Sequence, residues 1–286
     1  MRINHNISSM ITKNSLHASN VSQGKSLEKL STGLRINRAS DDAAGLSVSE
    51  QLRTQVRGLS RARSNAQDGI ALLQIAEGAG NEISDILQRM RELAIQSAND
   101  TLTSTDRSYL DQEFAALTNE IDRIANSTQY NGQTLITGGS NSFGGVGAGS
   151  SILHIGANST AGVDNITIQI DAITVGALGI SGGSANAVTG ISTSSASLAA
   201  IAVIDNAIVS VNNMRSDLGA YVNRLEHAIN NISNQEYNTQ DAESRIRDVD
   251  FADETTKFTK SQILSQSATS MLAQSNAVPN GVLGLI

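Results

Sequence analysis

Residues 59–94 read LSRARSNAQDGIALLQIAEGAGNEISDILQRMRELA. Stepping from Leu59 alternately by three and four residues lands on Ala62, Ala66, Gly69, Leu73, Ala76, Gly80, Ile83, Leu87, Met90 and Ala94. Every landing is apolar or small. This is a seam of 3.5-residue period, the pattern of a long helix that packs along its length against others. At 1.5 Å per residue the stretch spans about 54 Å. The small residues in its first half let a partner helix approach closely. Asn99-Asp100 and the Thr/Ser cluster at 101–105 end it, and Thr103 ahead of Asp106 predicts the N-cap of a following helix.

Outward from that stretch the period recurs. Leu110, Phe114, Leu117, Ile121 and Ile124 predict a second helix ending near Asn126, and Tyr130-Asn131-Gly132 predicts a turn. Far along the chain, Ile201, Ile204, Ile208, Val211, Arg215, Leu218, Val222, Leu225, Ile229 and Ile232 show the same spacing, with Arg215 the single break. Between the helical arms the sequence changes character. Of the charged residues, only Asp164 and Asp171 fall between Ile124 and Ile204, and the same window holds most of the glycines. Ile152–Ile155 and Ile166–Ile170 read as strands of a hairpin, with 156–162 as its loop. The rest of the insert, Gly/Ser/Thr-rich, reads as surface, with 181–192 outside the helical seam. The expected fold is mainly α. It is an elongated helical bundle or coiled-coil rod from paired N- and C-terminal arms, with a small β-hairpin and a short Gly/Ser-rich insert.

The extreme ends also carry helical apolar spacing: Ile3, Ile7, Met10 and Ile11, then Leu27, Leu30 and Leu34; near the other end Leu264, Ala268, Met271 and Leu272, then Val282, Leu283, Leu285 and Ile286. The last 26 residues hold no charge. An apolar helical stripe usually means an intramolecular core. For these two ends no other segment of comparable length remains to bury both, so an intermolecular role is expected. Isolated amphipathic helices are marginal in water without a partner surface.

Composition excludes several function classes. Aromatics are 3% with no Trp, too few for an ordinary globular core. Pro279 is the one proline, as long helices require. A net charge of −7 argues against nucleic acid, and the absence of cysteine excludes disulfides and thiolate chemistry. The N-terminus lacks the apolar core of a cleaved signal, and no run of 18 apolar residues suggests a membrane span. His5, His17, His154 and His227 stand at no metal-ligand spacing, and Asp41-Asp42 suits a helix start better than a two-carboxylate site. No nucleophile elbow or phosphate loop is present. No enzyme activity, cofactor or metal is expected.

Four stretches resemble bacterial flagellin, the flagellar filament subunit. They are Leu27-Glu-Lys-Leu-Ser-Thr-Gly-Leu-Arg-Ile-Asn-Arg-Ala-Ser-Asp-Asp-Ala-Ala-Gly-Leu46, Gln88-Arg-Met-Arg-Glu-Leu-Ala-Ile-Gln-Ser-Ala-Asn99, Met214-Arg-Ser-Asp-Leu-Gly-Ala-Tyr-Val-Asn-Arg-Leu-Glu226, and Met271-Leu-Ala-Gln with Gly281-Val-Leu-Gly-Leu-Ile286. Together they cover about 1–137 and 190–286. The resemblance implies an inner coiled coil of 1–36 with 253–286 and connecting segments at 37–58 and 240–252. It also implies an outer helical rod over 59–239, whose hairpin region is about 138–197, without large outer domains. The implied function is a structural subunit that polymerises into the filament, the helical propeller of motility. The competing reading is a soluble coiled-coil adaptor forming a closed oligomer. The expected assembly interface is Ile3, Ile7, Met10, Ile11, Leu27, Leu30, Leu264, Met271, Leu272, Val282, Leu283, Leu285 and Ile286. Implied partners are other copies of the chain, an export chaperone on the C-terminal helix, and the flagellar cap and hook–filament junction proteins. Neither nucleic acid nor membrane is among them. The resemblance also implies type III export without a cleaved signal to an extracellular flagellum, or to a periplasmic filament. Arg89, Leu93 and Glu113 match a site by which a vertebrate Toll-like receptor recognises related flagellins. Ser/Thr-dense 138–150 and 181–197 match surfaces that carry O-linked sugars in relatives.

Overall fold

The computed structural model describes residues 6–138, 143, 151–160, 162–180 and 190–283, with side chains described to Ala277. The helices are α1 (Ile7–Thr32), α2 (Ala43–Ser97), α3 (Ser104–Ser127), α4 (Ser194–Arg247) and α5 (Phe251–Leu283). Two antiparallel strand pairs complete it: β1 (Gln129–Tyr130) with β2 (Gln133–Thr134), and β3 (Ser151–His154) with β4 (Asn165–Ile168). The chain divides into two compact units, 57–236 and the combined ends 1–56 with 237–286. Helix runs through 43–58 and 240–247, where the resemblance implied connecting segments.

Local chemistry explains the boundaries. Asn6 caps α1 by accepting the Ser9 N–H at 3.0 Å, and Gly33, at φ 72, ends it with its N–H on the Lys29 carbonyl. Asp42 Oδ1 accepts the Gly45 N–H at 2.9 Å at the head of α2, so the Asp41-Asp42 pair does start a helix. Thr103 and Asp106 close a reciprocal capping box on α3, with the Thr103 N–H on Asp106 Oδ2 at 3.0 Å. The predicted turn at Asn131-Gly132 is a two-residue hairpin with φ 50 and 80, the paired left-handed geometry that Asn-Gly tolerates.

In the 57–236 unit all eleven seam positions of α2, from Leu59 to Ala94, are buried. Two of its glycines admit close neighbours. A Cβ on Gly69 would overlap Leu153 of β3, and one on Gly80 would lie 3.1 Å from Met214 Cε of α4. The α4 seam departs from expectation by one residue. Ile204, Val211, Leu218, Leu225 and Ile232 are buried as read, but the alternating positions are Ala200, Ala207 and Met214 instead of Ile201, Ile208 and Arg215. Arg215 is therefore no break in the seam; it lies beside it, with Cγ 3.3 Å from the position of a Cβ on Gly80. Small Ala200 and Ala207 permit the close approach that larger Ile201 and Ile208 would obstruct, so they take the inner register. Among the described residues α4 is the one helix long and apolar enough to cross a membrane by composition. Here its apolar side chains join α2 and α3 in one core.

The insert also differs from expectation. Ile166, Ile168 and Ile170 alternate inward as read, although the strand ends at Ile168, and Ile173, Val175, Leu178, Ile180 and Ile191 are buried too. Asp122 accepts the Val175 N–H at 2.9 Å, and Asp111 the Ile191 N–H at 2.6 Å, which ties this segment to α3. Glycine and serine content hid apolar residues spaced too irregularly to show a period. The stretch 181–192, read as lying outside the seam, thus contains a core residue, Ile191. Of the Ser/Thr-dense windows, 139–142, 144–150 and 181–189 lie outside the described residues, while Ser197 is buried against Ser97, Oγ to Oγ 3.0 Å.

Candidate assembly surface

The combined ends form an antiparallel pair of α1 and α5. Asn6 donates to the Ser275 carbonyl at 3.0 Å, Ser265 to Asn20 at 2.8 Å, and Ser261 to Ser22 at 3.4 Å. Beyond the pair, the Arg35 N–H donates to the Arg247 carbonyl at 2.7 Å, the Val249 N–H to that of Gly33 at 3.0 Å, and Arg247 pairs with Glu50 at 2.6 Å. The ends, expected to lack an intramolecular partner, therefore have one in each other.

What they bury is polar. Between Ser9 and Ser26 the positions shielded from solvent are Ser9, Thr12, Leu16, Ser19, Gln23 and Ser26. On α5 they are Glu254, Phe258, Ser261, Ser265, Ala268, Leu272 and Ser275. Both rows step by three and four residues, so this is a coiled-coil period filled largely with hydroxyls, an amide and a carboxylate. Burying these groups gains little, since each hydrogen bond replaces one to water.

Most of the larger apolar side chains lie outside this seam. Met10 is 60% exposed, Ile263 58% and Met271 62%; Ile7, Ile11, Leu27 and Leu264 are exposed as well. Leu30 and Leu272 are half-buried in the pair. Ile3, Leu285 and Ile286 lie outside the described residues, and so do the side chains of Val282 and Leu283. Val21, Phe251 and Ile263 are further exposed apolar residues. At 100° per residue, Ile7, Met10, Ile11 and Val21 fall on one side of α1, while Leu16, Leu27 and Leu30 fall on the other. The ends are thus not simple amphipathic helices. α1 keeps one apolar side away from its partner, while on α5 the exposed Phe251, Ile263, Leu264 and Met271 are spread around the helix outside the seam.

Charges frame this surface. Lys257 bonds Asp253 at 2.6 Å, and that hydrogen bond raises its pKa. The backbone N–H of Arg38 holds the Asp41 carboxyl below its ordinary value.

In the 57–236 unit the structure brings Arg89 and Glu113 together at 2.9 Å, with Glu92 on the same guanidinium at 3.1 Å. The bonds to Glu113 and Glu92 raise the Arg89 pKa. Leu93 does not join them. At 1% exposure it belongs to the same core as Phe114, because four residues advance a helix by 400° and the extra 40° turns it inward. No group of carboxylates or histidines fit to hold a metal exists among the described residues.

Two family models match the chain: the bacterial flagellin N-terminal helical region over residues 3–141 and the C-terminal helical region over 201–286. The chain is 45% identical over 289 residues to flagellin FlaB2 of Treponema pallidum, and 46% identical over 306 residues to flagellin of Bacillus subtilis; both alignments cover all of each protein. The chain belongs to the bacterial flagellin family. It is accordingly a structural subunit of the flagellar filament that serves motility, and not an enzyme. A putative flagellar hook-associated protein from Vibrio parahaemolyticus shares the fold, with a TM-score of 0.58 at 18% identity, over 73% of this flagellin and all of that chain.

Proposed function

We propose that copies of this chain join through the outward apolar side chains of α1 and α5, with Val282, Leu283, Leu285 and Ile286 extending that surface. The observation that carries this is the inversion of the terminal pair: Ser26, Glu254 and Ser261 are buried while Met10, Ile263 and Met271 are exposed. Each such side chain buried between copies would contribute about 1.5–3 kcal/mol. A head-to-tail contact of this kind propagates into an open polymer, where a closed adaptor would stop.

The finer partners follow from the same surface. An export chaperone covers the apolar side of α5 before assembly, and cap and hook–filament junction proteins meet the same ends at the limits of the polymer. The family resemblance supports type III export and an extracellular filament. Arg89 with Glu113 offers a receptor only polar groups, since Leu93 is turned inward; an unchanged receptor-reporter response to Arg89→Ala would remove that pair.

The test is Ile263→Ser with Met271→Ser, seeded with filament fragments. Elongation should stop while far-ultraviolet circular dichroism stays at the parent value. Growth at the parental rate would overturn the placement.

A further inference from the structure

All five lysines of the chain, Lys13, Lys25, Lys29, Lys257 and Lys260, lie on α1 and α5, and the 57–236 unit has none. Four of them wall one groove of about 480 Å³ between the two helices: Lys25 and Lys29 from α1, Lys257 and Lys260 from α5. Serines line its floor, and Glu254 is the one carboxylate in its lining. Glu254 is 5% exposed, with Lys257 Nζ 3.8 Å away. Lys257 is also held by Asp253. Among the described residues, Lys25, Lys29 and Lys260 have no carboxylate within 4.0 Å, whereas nine of the arginines make ion pairs. Lys25 and Lys29 stand at i,i+4, and Lys257 and Lys260 at i,i+3. Like charges at those spacings destabilise a helix. With Lys257 held by Asp253 and Glu254, the three remaining lysines leave the groove positively charged and open to a further anion. The field is felt locally, since Lys29 and Lys25 both help lower the Asp41 pKa.

The rest of the molecule supplies the opposite sign. The 57–236 unit carries nine arginines against seventeen Asp and Glu, and the combined ends eleven basic against ten acidic residues. The surplus of negative charge is therefore all on the 57–236 unit. Exposed Glu82 and Asp85 of α2, and Asp217 and Glu226 of α4, make no ion pair among the described residues.

We infer that the four-lysine groove receives carboxylate side chains from the 57–236 unit of a second copy of this chain. It is a polar lock that sets the register of a contact whose adhesion is apolar. This rests on the proposed terminal assembly surface, and the two separate by their response to salt. Apolar contacts hold or strengthen as salt rises. Contacts between partly exposed charges weaken as the Debye length falls from ~10 Å at 0.1 M towards ~3 Å at 1 M.

The experiment measures the critical concentration of full-length protein, seeded, from 50 to 500 mM sodium chloride. It uses the parent and the triple variant Lys25→Gln, Lys29→Gln, Lys260→Gln, each verified as folded by circular dichroism. The parent's critical concentration should rise about tenfold with salt. The variant should start about tenfold above the parent at 50 mM and stay flat. A parent insensitive to salt would overturn the lock while leaving the apolar surface intact. A variant as salt-sensitive as the parent would place the acidic contact elsewhere and also overturn it. Loss of salt sensitivity in the variant together with a parent-like critical concentration would show that no carboxylate docks there.

Discussion

Along α2 the heptad positions hold Leu73, Ile83, Leu87 and Met90; along α1 they hold Ser9, Thr12, Ser19, Gln23 and Ser26. The period is the same and the chemistry is reversed. The first row removes hydrocarbon from water within one chain, closing the 57–236 unit on itself. The second row is mostly polar, with Leu16 its one apolar member, and leaves Met10, Ile263 and Met271 exposed, so α1 and α5 pair without using up their apolar area. A heptad repeat therefore says that helices pair, and the residues on it say whether the pair is finished.

Core truncation should separate the two regions most sharply. Leu87→Ala, at a fully buried position, should destabilise the 57–236 unit by about 2–5 kcal/mol. Thermal denaturation should show the loss, and a melting curve unchanged from the parent would dissolve the contrast with the ends. The converse is deletion of Ala277–Ile286, which should abolish seeded elongation and leave that same melting transition in place. Filaments from the truncated chain, seen by electron microscopy, would move the assembly surface elsewhere.

Limited trypsin digestion of the monomer tests local stability. A pair with a polar seam opens at little cost. Cleavage at Lys13, Lys25, Lys29, Lys257 and Lys260 should precede any cut between 59 and 94, as mass spectrometry of early fragments would report. First cuts at Arg61 or Arg63 would reverse the ranking.

Smaller effects sharpen the helix boundaries. Thr103→Ala removes the reciprocal cap of α3 and should cost about 0.5–2 kcal/mol by denaturant unfolding. The smallest effect is on acid stability. Hydrogen bonds from Thr103 hold Asp106 below its ordinary 3.8, the Arg38 N–H does the same for Asp41, and Arg123 holds Glu120 below 4.5. Their contribution is complete above those ordinary values and is lost as the pH falls through the lower folded ones. Stability should be level above pH 5 on account of these groups and decline below about pH 4. In Thr103→Ala the decline attributable to Asp106 should shrink.

The sequence by itself determined the helices and most of their partners. All eleven positions from Leu59 to Ala94 are inside, because a sustained 3.5-residue period in small and apolar residues leaves a helix one face to bury. The Thr103 cap, the Asp42 start and the Asn131-Gly132 turn were legible for the same local reason: each is satisfied by atoms within a few residues. Ile7, Met10, Ile11, Leu264 and Met271 were legible as apolar positions at helical spacing, and the structure leaves them exposed. Only the tertiary structure decided which residues complete the α4 seam, since Met214 and Arg215 fit the period almost equally and both lie against Gly80. It also decided that Ile173, Val175, Leu178 and Ile191 are core within a glycine-rich insert, and that Leu93 turns away from Arg89. It alone showed that the ends meet through serines, because periodicity in sequence is sought among apolar residues, and a polar seam is seen only when the partner helix lies along it.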